Sequence, residues 1–174
     1  MSRIAVFVDG NNIFFMCLKE RYSVDYKKLL EFLKKKYGES PTIRRFYTAV
    51  PEEPGEPQKE FIRRVEAIGY TPIQRVLREH GNGTRKGNMD ATIGFDMRHY
   101  AGEYDILVLL SGDGDFARNI SILVREKGKR FLIVSSRESL SSELLQLQKN
   151  NRENVEISYL EDIIGEVGRE KRSN

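Results

Sequence analysis

The chain has 174 residues, 39% of them hydrophobic and 32% charged, with a net charge of +3. That suffices for one domain with a core, and the mild positive charge permits a polyanionic partner without announcing one. A single cysteine, Cys17, excludes an internal disulfide framework or a cysteine-metal cluster, and no apolar run approaches the ~18 residues of a membrane span.

In chain order, residues 3–8 (RIAVFV) form a β-branched apolar run and the first predicted strand, broken by Asp9-Gly10-Asn11-Asn12. Residues 13–21 read as helical. Tyr26, Leu29, Leu30, Leu33 and Tyr37 recur at helical spacing between an Asp25 N-cap and a Gly38 stop. Residues 42–50 (TIRRFYTAV) are the next strand, and residues 51–57 a proline- and glutamate-rich surface loop. Phe61, Ile62, Val65 and Ile68 mark an amphipathic helix closed by Gly69, and residues 71–77 a strand.

Residues 80–87 (HGNGTRKG) make a glycine-rich basic loop, followed by a helix with Met89, Ile93, Met97 and Tyr100 on one face. The most informative stretch is residues 104–116 (YDILVLLSGDGDF). Its continuous apolar run, residues 106–110, has the pattern of a parallel strand covered on both faces. Phe116, Ile120 and Leu123 then mark a helix ended by Gly128. Residues 130–134 form a strand, Leu140, Leu144 and Leu147 a helix, residues 155–157 a short edge strand and residues 160–167 a last helix. This alternation implies an α/β fold with a mostly parallel sheet and helices on both faces. The two most apolar strands, residues 3–8 and 106–110, belong side by side at its centre. We expect one domain over residues 1–167, with a polar, disordered tail over residues 168–174. The start turns acidic too soon for a signal peptide, which with the lone cysteine gives a cytoplasmic expectation.

Asp9, Asp90, Asp113 and Asp115 all follow strand ends or open helices, among small or amide neighbours. Placing carboxylates together raises their pKa values and is unfavourable unless a cation compensates. An all-oxygen donor set without histidine or cysteine favours Mg²⁺ or Mn²⁺ over zinc. Such an ion activates water and steadies charge on a transferring phosphoryl group. Individually, these aspartates are also ordinary turn formers and helix caps.

VDGNN (residues 8–12), KGNMDATIGFDM (residues 86–97) and SGDGDF (residues 111–116) resemble the three motifs of the NYN domain family, in its LabA-like branch. The resemblance spans about residues 3–164; the neutral Met89 before Asp90 is its one noted departure. It implies a PIN-like nuclease fold, a three-layer α/β/α arrangement with about five strands in the sheet. It also implies metal-dependent endonuclease activity on RNA. It lays the catalytic, metal-binding aspartates on Asp9, Asp90, Asp113 and Asp115, with Asn12 as a polar or water-mediated ligand.

Asp96 falls on the inward face of its helix, either as an outer support of the metal site or in a core ion pair with an arginine. Arg85, Lys86 and Arg118 are candidate phosphate contacts, or solvated surface charges. Tyr47, Tyr70 and Phe116 could stack bases but sit in core-patterned segments. His80 and His99 are too scattered for a zinc site or dyad. Three readings stay open: an Mg²⁺/Mn²⁺-dependent endoribonuclease, a regulatory RNA- or protein-binding domain with weak or no catalysis, and a phosphatase of small phosphate esters. No membrane partner and no particular homo-oligomer is predicted.

Overall fold

In the computed structural model, which describes residues 2–18, 22–79, 85–86 and 89–170, the most apolar strands lie side by side at the centre of the sheet. They are β1 (Ile4–Asp9) and β7 (Ile106–Leu110), paired in parallel from Ile4↔Ile106 to Val8↔Leu110. Every residue of both is buried, because helices cover both faces. Outward from β1 run β3 (Ile43–Val50) and β4 (Thr71–Val76); outward from β7 run β8 (Arg130–Ser135) and β9 (Val155–Tyr159). The order β4-β3-β1-β7-β8-β9 makes six parallel strands. The family resemblance implied about five; the residue pattern itself contained all six, residues 155–157 being the sixth.

Alternate residues of each central strand serve different layers. Ala5 and Phe7 of β1, with Leu107 and Leu109 of β7, pack against α4 (Asp90–His99), α5 (Ala117–Lys127) and α6 (Ser142–Asn150). Ile4, Val6 and Val8, with Val108 and Leu110, pack against the other layer. That layer is α1 (Gly10–Leu18), α2 (Tyr26–Tyr37), α3 (Glu56–Ile68) and α7 (Leu160–Val167). The result is a three-layer α/β/α sandwich. The predicted punctuation holds at α2: Asp25 accepts hydrogen bonds from the Lys27 and Lys28 amides at 3.0 and 3.1 Å, and Gly38 closes the helix at φ 79°.

Two short pairings depart from expectation. Gly168–Glu170 (β10) pairs antiparallel with Tyr22–Val24 (β2), so the start of the tail expected to be disordered is a strand; residues 171–174 lie outside the described residues. At the glycine-rich loop, Arg78–Glu79 (β5), just before it, pairs antiparallel with Arg85–Lys86 (β6) within it. Residues 80–84, including His80, and residues 87–88 lie outside the described residues.

The strand order fixes where a site can form. The chain leaves β1 toward β3 and β4, then returns to the other side of β1 through β7 and proceeds to β8 and β9. The connections diverge between β1 and β7, opening a crevice at their carboxyl ends where open α/β sheets hold ligands. β1 passes into α1 with no intervening loop. A Cβ at Gly10 would lie 2.6 Å from Phe46 Cε1 and 2.7 Å from the Tyr47 carbonyl oxygen, so the tight entry needs glycine. We therefore expect Gly10→Ala to lower the unfolding free energy by about 1–3 kcal/mol, the range for overpacking at a site that cannot yield. Urea denaturation measures it, and an unchanged midpoint would refute the close approach.

Candidate metal and phosphate site

Asp9 ends β1, and its buried carboxylate is gripped from two sides. Oδ1 accepts from the Asn12 backbone N–H at 3.1 Å, the bond of a helix cap. Oδ2 accepts from the Ser111 hydroxyl at 3.1 Å, and Ser111 Oγ in turn accepts from the Asp113 N–H at 3.2 Å. Asn12 completes the tie, its Oδ1 accepting from the Gly112 N–H at 3.0 Å. Asn11 fastens the same helix start to β3, accepting from the Ala49 N–H at 3.2 Å. The loop after β7 is thus held to the end of β1 by side chains from both. Gly112 is obligatory there, since a Cβ would collide with the Ser139 carbonyl oxygen.

That loop delivers two more carboxylates. Asp113 Oδ1 accepts from the Asp115 N–H at 2.9 Å, capping the short 3-10 turn Gly114–Phe116 that leads into α5. Asp90 stands in the first turn of α4, where the helix dipole favours an anion. Asp90, Asp113 and Asp115 each place a carboxylate oxygen within 4.8 Å of the other two. On one octahedral Mg²⁺ at ~2.1 Å, adjacent oxygens lie ~3 Å apart and opposite ones ~4.2 Å, so the three carboxylates draw inward to share one ion. Hard oxygen donors without sulfur or imidazole suit Mg²⁺ or Mn²⁺, which the triad fits.

Asp9 stands outside this tight group but lines the same recess of about 220 Å³, with Asn11, Asn12, Phe15, Met89, Asp90 and Asp113. The four predicted aspartates therefore meet at one place, as a triad of carboxylates with a hydrogen-bonded fourth beside it. Their charges act on each other. Burial, then the charges of Asp113, Asp9 and Asp115, push the Asp90 carboxyl up to about 6. Asp9 is raised by burial and further by Asp113, against the lowering effect of its bonds from Asn12 and Ser111.

The remaining predicted residues sort differently. Asp96 is committed elsewhere: its Oδ2 pairs with Arg45 Nε at 3.0 Å and accepts from the Tyr47 hydroxyl at 2.9 Å. That is the core ion pair, not a support of the carboxylate triad. Arg118 is exposed at the start of α5, with no hydrogen bond or ion pair among the described residues. Arg85 and Lys86 are described in backbone only, as β6. Tyr47, Tyr70 and Phe116 are all core residues. Sequence reasoning missed Ser111, which bridges Asp9 to the Asp113 amide, and Phe15, an aromatic side chain 65% exposed on the recess wall. Ser111 carried a signal, its place directly before the GDGD turn; Phe15 follows Asn12 by about one helical turn.

The NYN domain family pattern matches residues 3–152. The chain is 32% identical over 149 residues to the Low amplitude and bright protein LabA of Synechococcus elongatus, covering 82% of this chain and 78% of that protein. Among solved structures it is similar to a protein of unknown function from Vibrio parahaemolyticus, at a TM-score of 0.75 and 20% identity, over 90% of this chain and 92% of that one. At that identity the structural likeness speaks for the fold. No helix among the described residues is long and apolar enough to cross a membrane.

Two expectations follow. Replacing Arg45 with methionine strands the Asp96 carboxylate and should lower stability by about 3 kcal/mol or more, leaving divalent-cation uptake in calorimetry unchanged; loss of uptake would return Asp96 to the metal site. For Asp90, the folded state keeps its proton to about pH 6, while the unfolded chain releases it near pH ~4. Across that window the native state binds more protons, so stability of the metal-free protein falls as pH rises. Thermal melts should show this fall, reduced in Asp90→Asn and offset by Mg²⁺ or Mn²⁺ in the unsubstituted chain. A melting temperature that rises through this window without metal, unaltered by Asp90→Asn, would contradict it.

Proposed function

This chain belongs to the NYN domain family, a nuclease-like family, and from that premise we propose that it is an endoribonuclease dependent on Mg²⁺ or Mn²⁺. The observation that carries the reading is the convergence of Asp90, Asp113 and Asp115 within 4.8 Å at the carboxyl end of the central strands. Two chain segments converge on carboxylates that repel one another, an arrangement with a stability penalty that a bound cation reverses.

In this reading Asp90, Asp113 and Asp115 hold the divalent ion, which when bound supplies water activation and charge neutralisation at the scissile phosphate. Asp9 adds its charge to the same recess and, through Ser111, fixes the loop that carries Asp113. The amides already capped by Asp9 and Asp113 hold those carboxylates still, so little reorganisation is needed when substrate arrives. Arg118, exposed at the start of α5, is the proposed contact to a phosphate of the bound strand, with Arg85 and Lys86 as further proposed contacts.

Incubation of single-stranded and structured RNA with the full chain tests this. Cleavage is expected with Mn²⁺ and not with EDTA, and Asp90→Asn or Asp113→Asn should reduce it by about a hundredfold or more, the scale on which loss of one charge-stabilising group acts. Metal-dependent cleavage that persists when Asp90→Asn and Asp113→Asn are combined would overturn the assignment. RNA binding without hydrolysis in any divalent cation would instead favour a regulatory binding domain.

A further inference from the structure

We propose that Phe15 is a stacking platform for an unpaired nucleobase adjacent to the phosphate held at the carboxylates, so that the site takes single-stranded RNA in preference to duplex. This rests on the nucleic-acid reading of the site given above.

Tyr47, Tyr70 and Phe116, the aromatics whose sequence context allowed base contact, are 0%, 3% and 1% exposed and cannot offer a ring face. Phe15 is 65% exposed and, among the described residues, is the aromatic that lines the acidic recess. Its place there follows from helix geometry. Asn11 and Asn12, which also line the recess, precede it by four and three residues, so all three share one face of α1 within ~6 Å of axial rise. The Phe14 ring sets edge-to-face against Phe15, centroids 5.7 Å apart at 70°, which steadies the ring from the side.

Phe15 also borders a larger apolar recess of about 620 Å³ shared with Phe14, Leu18, Ala49 and Leu77. The ring thus stands where a charged pocket suited to a phosphate and its cation meets an apolar surface suited to a flat hydrophobic group. A nucleotide joins those two chemistries, phosphate and base, in one ligand. The layers supply a direction. α1 lies on one face of the sheet and α5 on the other, and both begin at the same carboxyl-end rim. A strand crossing the rim would place a base on Phe15, a phosphate over the triad and a following phosphate by the exposed Arg118. Bases inside a duplex have both faces covered, and the grooves of A-form RNA present edges instead. Stacking on a single exposed ring selects an unpaired base and tolerates any sequence.

A short single-stranded oligoribonucleotide carrying 2-aminopurine, titrated with the full chain in Ca²⁺, reads the contact directly, since stacking quenches the probe. Phe15→Leu keeps the apolar bulk and removes the ring; it should weaken single-strand binding by about tenfold and abolish the quench. Phe15→Trp should retain both, and the weaker binding of the matching duplex should be equal in all three proteins. Wild-type affinity and quench in Phe15→Leu overturn the proposal, as does duplex binding as tight as single-strand binding. So does sedimentation showing that Phe15→Leu merely dissociates a dimer while leaving RNA affinity unchanged, which would make this surface a self-association face. The two readings fail separately. A chain that quenches the probe but cleaves no RNA with Mn²⁺ loses the hydrolytic assignment and keeps the platform. One that cleaves single strands equally with and without the Phe15 ring loses only the platform.

Discussion

The structure depends on holding like charges together, and the bond that does so runs from Asp9 through Ser111 to the amide of Asp113. The parallel register of β1 on β7 ends at Val8↔Leu110, so the next residues of the two strands, Asp9 and Ser111, emerge side by side. The Ser111 hydroxyl bridges the Asp9 carboxylate to the Asp113 turn. With it, and with the Asn12 side chain on the Gly112 amide, the loop is fixed and the negative charge is concentrated in one recess. The Asp90 carboxyl, raised first by its burial and then by the charges of Asp113, Asp9 and Asp115, registers both.

The surrounding architecture follows from the same constraint. Six parallel strands wound in opposite directions from β1 and β7 leave their divergence point open at the carboxyl end. β1 must then turn at once into α1, and β7 into the Asp113 turn, within a confined space. Gly10 and Gly112 allow this, each lying where a Cβ would strike a neighbouring backbone carbonyl. Elsewhere the polar network is conventional: Arg45, Tyr47 and Asp96 neutralise and satisfy one another within the α4 layer.

Local pattern made much of this legible from the residues. The unbroken run Ile106–Leu110 marked a strand buried on both faces, and the pairing of β1 with β7 followed from their both being the most apolar segments. Asp25, Gly38, Gly69 and Gly128 punctuated their helices as their chemistry dictates. What was not legible is what depends on a third dimension. The antiparallel pairing of Gly168–Glu170 with Tyr22–Val24 joins short segments far apart in the chain, neither with a strand pattern of its own. The partner of Asp96 could be named as an arginine but not as Arg45, because β3 and α4 are related only through packing. Asn12, by type a ligand as readily as a strut, has its amide oxygen on a backbone N–H. Phe15 was invisible because an aromatic in an apolar helix segment is ordinarily core, and only the folded surface shows it exposed.

The most direct measurement is anomalous diffraction from crystals of this chain soaked in Mn²⁺. The account expects an anomalous peak among the carboxylate oxygens of Asp90, Asp113 and Asp115, with Asp9 bordering the same recess. A peak bound elsewhere on the surface, with that position empty at saturating Mn²⁺, would contradict it.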